Sequence, residues 1–170
     1  MARKVTYVVG LVMMTLVLAG CLTTPPAPTP SPAALTEAQM GNVTYVTDGD
    51  TIKVNVSGTI YTVRYIGIDT PETKQPGKPV ECFGPQADAF NRMKVLGKTV
   101  RLEKDTSETD RYGRLLRYVY VGNDMVNEVL VREGYAIAKA YPPDTRNQIR
   151  FEQAETQAKA ENKGLWNACP

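Results

Sequence analysis

The sequence predicts an α+β fold, a five-stranded OB-type Greek-key β-barrel with about three α-helices. Five short segments alternate apolar and polar residues with a period of two, as half-buried strands do. One helical pattern lies between the third and fourth segments, and further helical patterns follow the fifth. The 170 residues, 42% of them hydrophobic, suffice for one domain with a real core and an appended segment.

Val43 and Tyr45, then Ile52, Val54 and Val56, then Ile60, Val63 and Tyr65 define the first three strands. Asp48-Gly49 and Ser57-Gly58 are turn dipeptides between them, giving a meander. Gly84-Pro85 opens a helix to about Leu96, with Ala87, Phe90, Met93 and Leu96 expected on one face and Gly97 as its stop. Thr99 to Lys104 and Leu115 to Val121 are the fourth and fifth strands, separated by the polar loop Asp105 to Gly113. Met125, Val126, Val129 and Leu130 line a helix that ends at Gly134. A last helix is expected from about Thr145 to Glu161, with Thr145 and Gln148 fitting a capping box.

Ahead of this domain, Arg3 and Lys4 precede an apolar run from Val5 to Leu18 that closes in Leu18-Ala19-Gly20-Cys21. A charged start, a short apolar stretch and small residues before a cleavage point form a secretory signal, too short for a confident spanning helix. Leu-Ala-Gly-Cys also resembles a bacterial lipobox, which makes Cys21 the lipidated first residue of the mature chain; an uncleaved anchor with an incidental cysteine is the alternative. Residues 1–20 are thus expected as a lipoprotein signal peptide and 21–40 as lipidated Cys21 plus a tether. Pro25, Pro26, Pro28, Pro30 and Pro32 extend that tether, which has too little apolar surface to offset its ordering entropy. Residues 41–170 form the folded domain, working outside the cytoplasmic membrane or within the cell envelope.

The chain has no histidine. That excludes Ser-His-Asp and Cys-His nucleophile pairs, HExxH zinc sites and any histidine base. Catalysis must run on carboxylates, Arg, Lys, Tyr or a bound metal. The net charge is +2, so global charge announces no polyanionic partner, and any affinity for one must come from local placement. With Cys21 assigned to lipid, Cys82 and Cys169 remain as an even pair in an oxidising compartment. A disulfide between them encloses a long loop, which gives about 4 kcal/mol by chain entropy. Two separate buried thiols are the alternative.

Three motifs carry chemistry. Thr47-Asp48-Gly49-Asp50-Thr51, taken alone, is a hairpin turn with two solvated acids. In Arg64 to Thr73, alternation puts Arg64, Ile66 and Ile68 on one side before the chain breaks at Asp69-Thr70-Pro71, leaving Asp69 and Glu72 close together beside a rigid proline. Asp110-Arg111-Tyr112-Gly113-Arg114 leads into the fifth strand. Asp50 and Asp69 could offer hard oxygens to Ca²⁺, Arg64 and Arg114 present forks for a phosphate, and Glu72 remains to handle a water proton. This set matches phosphodiester hydrolysis, with metal and arginines stabilising charge on the phosphorane. Arg117, Glu103 and Glu128 read instead as fold-supporting residues.

In these motifs, from Val43 to Trp166, the chain resembles the staphylococcal nuclease family. Asp48-Gly49-Asp50-Thr51, Arg64 with Asp69-Thr70-Pro71-Glu72-Thr73, Phe83-Gly84-Pro85-Gln86-Ala87, Asp110 to Arg114, Met125 to Gly134 and Gly164-Leu165-Trp166 fall in family order. The resemblance implies a calcium-dependent, OB-fold endonuclease acting on DNA and RNA, unpaired strands preferred, that cuts the 5′ P–O bond and leaves 3′-phosphates. It implies Asp50, Asp69 and the Thr70 carbonyl as calcium ligands, and Glu72 as the base or water-orienting group. Arg64 and Arg114 correspond to the phosphate-binding pair, and Asp48 lies near the metal. Tyr112 borders the nucleotide phosphate, Arg111 stands where lysine is common, and Tyr141 packs on the base.

The match loosens at Lys139-Ala140-Tyr141-Pro142, where Lys139 replaces an aromatic of the base pocket, and the near-neutral charge predicts weaker substrate capture. Cys82 and Cys169 are additions relative to the family's disulfide-free type member. A monomer without an obligate protein partner, held to the membrane by its lipid, is expected. The competing reading, a catalytically silent OB module binding nucleic acid or a partner at the cell surface, predicts loss of core acids or arginines. Asp50, Asp69, Arg64, Glu72 and Arg114 all stand.

Overall fold

The computed structural model describes residues 38–74, 77 and 79–169. The expected signal peptide, Cys21 and nearly all of the tether lie outside the described residues. Three strands open the domain: β1 (Gln39–Asp48), β2 (Thr51–Val56) and β3 (Thr59–Tyr65). A two-residue β4 (Ile68–Asp69) and helix α1 (Gly84–Val95) follow, then β5 (Thr99–Glu103), β6 (Leu115–Val121) and the short β7 (Asp124–Met125). Helix α2 (Val126–Arg132), the short β8 (Ile137–Ala138), α3 (Gln148–Ala160) and α4 (Leu165–Ala168) complete the chain.

The main sheet runs β3-β2-β1-β5-β6-β7, and a parallel pairing of β3 with β6 closes it into a five-stranded barrel. This is the expected OB-type architecture, with no free edge among its five strands. Val46, Ile52, Val54, Val63, Val100, Leu102 and Val119 fill the barrel; Leu130 and Phe151 from α2 and α3 join the same core.

The strands lie where alternation put them, but their faces differ in detail. Val43 and Tyr45 were expected on one face, yet Val43 is buried and Tyr45 is half exposed, while Val46 is buried. Register breaks between Val43 and Tyr45 and between Val46 and Asp48 flip the parity of β1. Ile60, next to the Ser57-Gly58 turn, is exposed rather than inward. Arg64, Ile66 and Ile68 do not share one strand face either: β3 ends at Tyr65, a turn intervenes, and Ile66 and Ile68 are buried.

Helix α1 starts at Gly84 as expected, but its buried stripe is Gly84, Ala87, Asn91 and Val95; Met93 and Leu96 face solvent. An asparagine in that stripe is explained by its partners. Asn91 Oδ1 accepts from the Tyr65 hydroxyl at 3.0 Å, and its Nδ2 donates to the Asp48 carbonyl at 3.0 Å, so one buried amide ties β3, β1 and α1 together. The capping box at Thr145 is absent. Helix α3 begins at Gln148 with Asn147 at its N-cap and no side-chain cap, while Thr145 accepts the Gln148 N–H through its carbonyl in a turn.

Candidate active site

Two turns and one strand end build the site. Asp50 sits in the tight β1–β2 turn, where its own N–H donates to Asp48 Oδ1 at 3.1 Å. Asp69 ends β4, which is pinned to β8 by pairing with Ile137. Thr70 follows and reaches back: both its N–H and its Oγ1 donate to Asp50 Oδ2, each at 3.0 Å. The Asp-Thr pair therefore locks onto the Asp-Gly-Asp turn although Thr70 lies 20 positions after Asp50 in the chain.

Arg64, on β3, bridges the two acids. One terminal nitrogen pairs with Asp50 Oδ2 and the other with Asp69 Oδ1 at 2.6 Å. One guanidinium thus neutralises both carboxylates. Asp69 Oδ2 is taken by Lys139 Nζ at 2.7 Å, and this bond is the main reason the Lys139 ammonium is held above its ordinary lysine value. Burial pushes the Asp48 carboxyl up, with the Glu72 charge adding to it, against the opposing pull of Thr51 and Arg64.

Glu72 lies beyond Pro71. Its Oε1 accepts from the N–H groups of Thr73 at 2.9 Å and Lys74 at 2.8 Å, so the side chain folds back on its own loop. Arg114 comes from the loop before β6. Asp110 shapes that loop: its Oδ1 accepts from the N–H groups of Tyr112 at 2.9 Å and Arg114 at 3.0 Å, and its Oδ2 accepts from Arg114 Nε at 2.7 Å. Burial alone pushes the Asp110 carboxyl up, but these bonds outweigh it and hold it below the usual carboxylate range.

Asp48, Asp50, Arg64, Asp69, Thr70, Glu72 and Arg114 all line one cleft of about 180 Å³. Arg64 and Arg114 also line a neighbouring hollow of about 540 Å³, together with Arg111, Tyr112 and Tyr141. Every candidate catalytic, metal-binding and substrate-binding residue thus borders one of two hollows that share two arginines. Arg111 donates to the Tyr112 hydroxyl at 2.5 Å and lies over that ring, and the Lys139 ammonium is 5.5 Å from the Tyr141 ring centre. Cys82 and Cys169 form the disulfide.

Arg117, Glu103 and Glu128 take fold-supporting contacts: Arg117 pairs with Glu108 and its carbonyl, Glu103 with Arg101 and Arg146, and Glu128 with Arg150. Three residues bonded to site residues were not singled out by sequence reasoning as contributors: Asp110, Glu81, whose Oε2 accepts from the Glu72 N–H at 2.8 Å, and Lys139 as a partner of Asp69. Asp110 carried a legible signal, an Asp three residues before a glycine in a hairpin loop. The other two act through tertiary contacts that no local pattern announces.

The donor set bears on metal binding. Among the described residues no three His, Cys, Asp or Glu side chains cluster as ready ligands. Two carboxylates and Thr70 on one cleft offer oxygen ligands, and among the described residues Asp50 Oδ1 is engaged only by the Thr51 hydroxyl at 3.2 Å. Few protein oxygens, with water completing the shell, suit a hard divalent cation and not zinc or copper.

Residues 62–168 match the family model described as staphylococcal nuclease homologue. The thermonuclease of Staphylococcus hyicus is 46% identical over 129 residues, 76% of each chain. The thermonuclease of Staphylococcus intermedius is 43% identical over 121 residues, covering 71% of this chain and 72% of that one. Endonuclease YncB of Bacillus subtilis is 40% identical over 141 residues, 81% of this chain and 67% of its own.

Proposed function

The chain belongs to the staphylococcal nuclease family, and on that premise we propose that it is an exported, lipid-anchored endonuclease that uses calcium to hydrolyse DNA and RNA to 3′-phosphate products. The observation that carries this reading is the convergence of Asp50, Asp69, Arg64, Glu72 and Arg114 on one cleft. Nuclease and endonuclease names among relatives of 40–46% identity support the reaction class.

Asp50, Asp69 and the Thr70 carbonyl would hold calcium. Bound there, the ion adds positive charge beside the scissile phosphate. Arg64, held by its two aspartates, presents a fixed charge to the phosphoryl oxygens. Arg114 is fastened through Nε to Asp110, and among the described residues Nη1 and Nη2 make no hydrogen bond, which leaves them for phosphate. Both arginines act most strongly where charge accumulates, on the pentavalent phosphorus. Among the described residues Glu72 uses only Oε1, on its own loop, which leaves Oε2 to orient the attacking water and take its proton. The water oxygen bonds to phosphorus, the 5′ oxygen departs and is protonated from solvent, and the 3′ side keeps the phosphate. The larger hollow, with Tyr112 and Tyr141 exposed at its walls, is of a size for one nucleotide.

The anchor rests on the signal-like start and Cys21, and it places the enzyme on the outer face of the cytoplasmic membrane or in the cell envelope. The defining test incubates the protein with single-stranded DNA and RNA in Ca²⁺, in EGTA, and as Glu72→Gln, and identifies the product ends. Calcium-dependent cleavage to 3′-phosphates, lost by about 10²-fold or more in Glu72→Gln, is the expected result. A folded, disulfide-intact protein that cuts nothing overturns it. Cys21→Ser, expressed in a lipoprotein-processing bacterium, is expected to move the protein from the membrane to the soluble fraction.

A further inference from the structure

The cleft as described makes no use of the cysteine pair, yet a short chain of contacts joins the two. The Glu72 N–H donates to Glu81 Oε2 at 2.8 Å, and the Glu81 N–H donates to the Glu72 carbonyl at 2.9 Å. Glu81 is therefore bonded twice to the one backbone unit that carries the candidate base. The next residue, Cys82, is joined covalently to Cys169, 87 residues on. Cys169 directly follows α4, and the Leu165 N–H at the start of that helix donates to the Gly134 carbonyl at 2.8 Å, just beyond α2. The disulfide, Glu81 and the stretch Asp69 to Pro71 border one shared depression.

The need for such a connection follows from the local structure. Between β4 and α1 the described residues form neither helix nor strand, so Glu72 sits on a long connection with little regular backbone pairing of its own. Fixing irregular chain costs about 1–2 kcal/mol per residue. Both Glu81 and Cys82 are exposed, so their contacts do little for the core. What they do is tie the Glu72 backbone, through one covalent bond, to the helical end of the domain.

We propose that the Cys82–Cys169 disulfide acts through Glu81 as a brace that positions Glu72, which makes Glu81 a positioning residue for hydrolysis. The inference rests on the role proposed for Glu72 above. With the brace intact, Glu72 Oε2 stays at a fixed distance from the phosphate held by Arg64 and Arg114. With the brace broken, Glu72 samples a wider range while the phosphate-binding arginines, on β3 and the loop before β6, stay in place. The loss therefore falls on kcat and not on KM.

The test compares wild type, Cys82→Ser/Cys169→Ser, Glu81→Ala, Glu81→Gln and the triple variant, all assayed well below their melting temperatures. Wild type is also assayed after treatment with a dithiol, which gives two electrons and two protons to the sulfur pair and leaves two thiols and an oxidised reagent. Breaking the disulfide or Glu81→Ala is expected to lower kcat about tenfold or more with KM nearly unchanged, since small misplacements of reacting groups are costly. Glu81→Gln keeps an acceptor for the Glu72 N–H and restores most of the rate. The triple variant loses no more than the worse of its parents, because both lesions cut one chain of contacts. Unchanged kcat with only a lower melting temperature, or fully additive losses, overturns the brace. Amide hydrogen exchange at Glu72 supplies a readout independent of cleavage: faster exchange on reduction is expected, and unchanged exchange overturns the proposal even if the protein proves to cut nothing.

Discussion

Lys139 and Arg64 divide the carboxylate of Asp69 between them: Nζ of the lysine stands 2.7 Å from Oδ2, and a terminal nitrogen of the arginine stands 2.6 Å from Oδ1. Arg64 is largely buried and also tied to Asp50, whereas Lys139 is about half exposed on a flexible stem. A divalent cation bound at Asp69, as proposed, would meet the lysine as its competitor. Lys139→Met is expected to tighten calcium binding by up to about fivefold, the equivalent of an exposed ion pair of at most about 1 kcal/mol. Isothermal titration without substrate measures this directly; equal or weaker binding would count against the competition.

The two arginines proposed to meet the phosphate differ in what else they hold. Arg64 neutralises Asp50 and Asp69, which face one cleft, while Arg114 pairs with Asp110 at a more exposed position. Both alanine variants should lose activity severely. Only Arg64→Ala should also lose marked stability, about 2 kcal/mol, because it leaves two carboxylates without their shared counter-ion. Calcium should return part of that loss in Arg64→Ala and little in Arg114→Ala, as read by thermal unfolding with and without the ion.

Asp110 gives a pH signature. Its folded-state value lies below the ordinary carboxylate range because Arg114 and two backbone N–H groups outweigh the cost of burial. A carboxyl depressed in the folded state contributes stability that is present above its unfolded value, near 3.9, and is lost as pH falls through the lower folded value. Asp110→Asn should thus be less stable than wild type at neutral pH, by about 1 kcal/mol after allowance for solvent screening. The gap should close in strong acid. Denaturant titrations of both proteins from pH 7 down to about pH 2 check it.

The barrel was legible because each strand is short, alternating and bounded by turn residues. What escaped were the places where one residue shifts the parity. Tyr45 lost its inward place to register breaks in β1, and Ile66 and Ile68 are buried beyond the end of β3, in a turn and in β4, and not along one strand with Arg64. The face of α1 was misread because its buried stripe is completed by a polar residue, Asn91, whose amide serves the Asp48 carbonyl and the Tyr65 hydroxyl. Periodicity scores hydrophobicity, so a buried, fully bonded asparagine is invisible to it.

The site was legible as motifs, and its assembly was not. No spacing rule says that Thr70 will give both its donors to one oxygen of Asp50, or that Glu81 will pair with the backbone of Glu72. These contacts join segments that are far apart in the chain or lie in an irregular loop, where side-chain pattern carries no period. Lys139 was noticed only as a departure from the base pocket. Its partner Asp69 appears once β8 is placed beside β4.

Gly49 tests that assembly at its tightest point. A Cβ built on Gly49 would stand 2.7–2.8 Å from Oγ1, Cβ and Cγ2 of Thr70, the residue whose N–H and hydroxyl hold Asp50. Thr70 cannot yield without loosening its bonds to Asp50 Oδ2, so Gly49→Ala should cost about 1–3 kcal/mol as overpacking does. It should also weaken calcium binding and cleavage together. Gly58, in the β2–β3 turn, is the control: its φ of 90° follows Ser57 at 50°, and nothing lies within 4 Å of a Cβ there. Gly58→Ala strains the backbone and should cost about 1 kcal/mol, with calcium affinity and turnover unchanged below its melting temperature. If the two variants lose stability alike and neither loses calcium affinity, Thr70 is not what holds Asp50 in place for the metal. If only Gly49→Ala loses it, the close approach of turn and threonine is what sets the site.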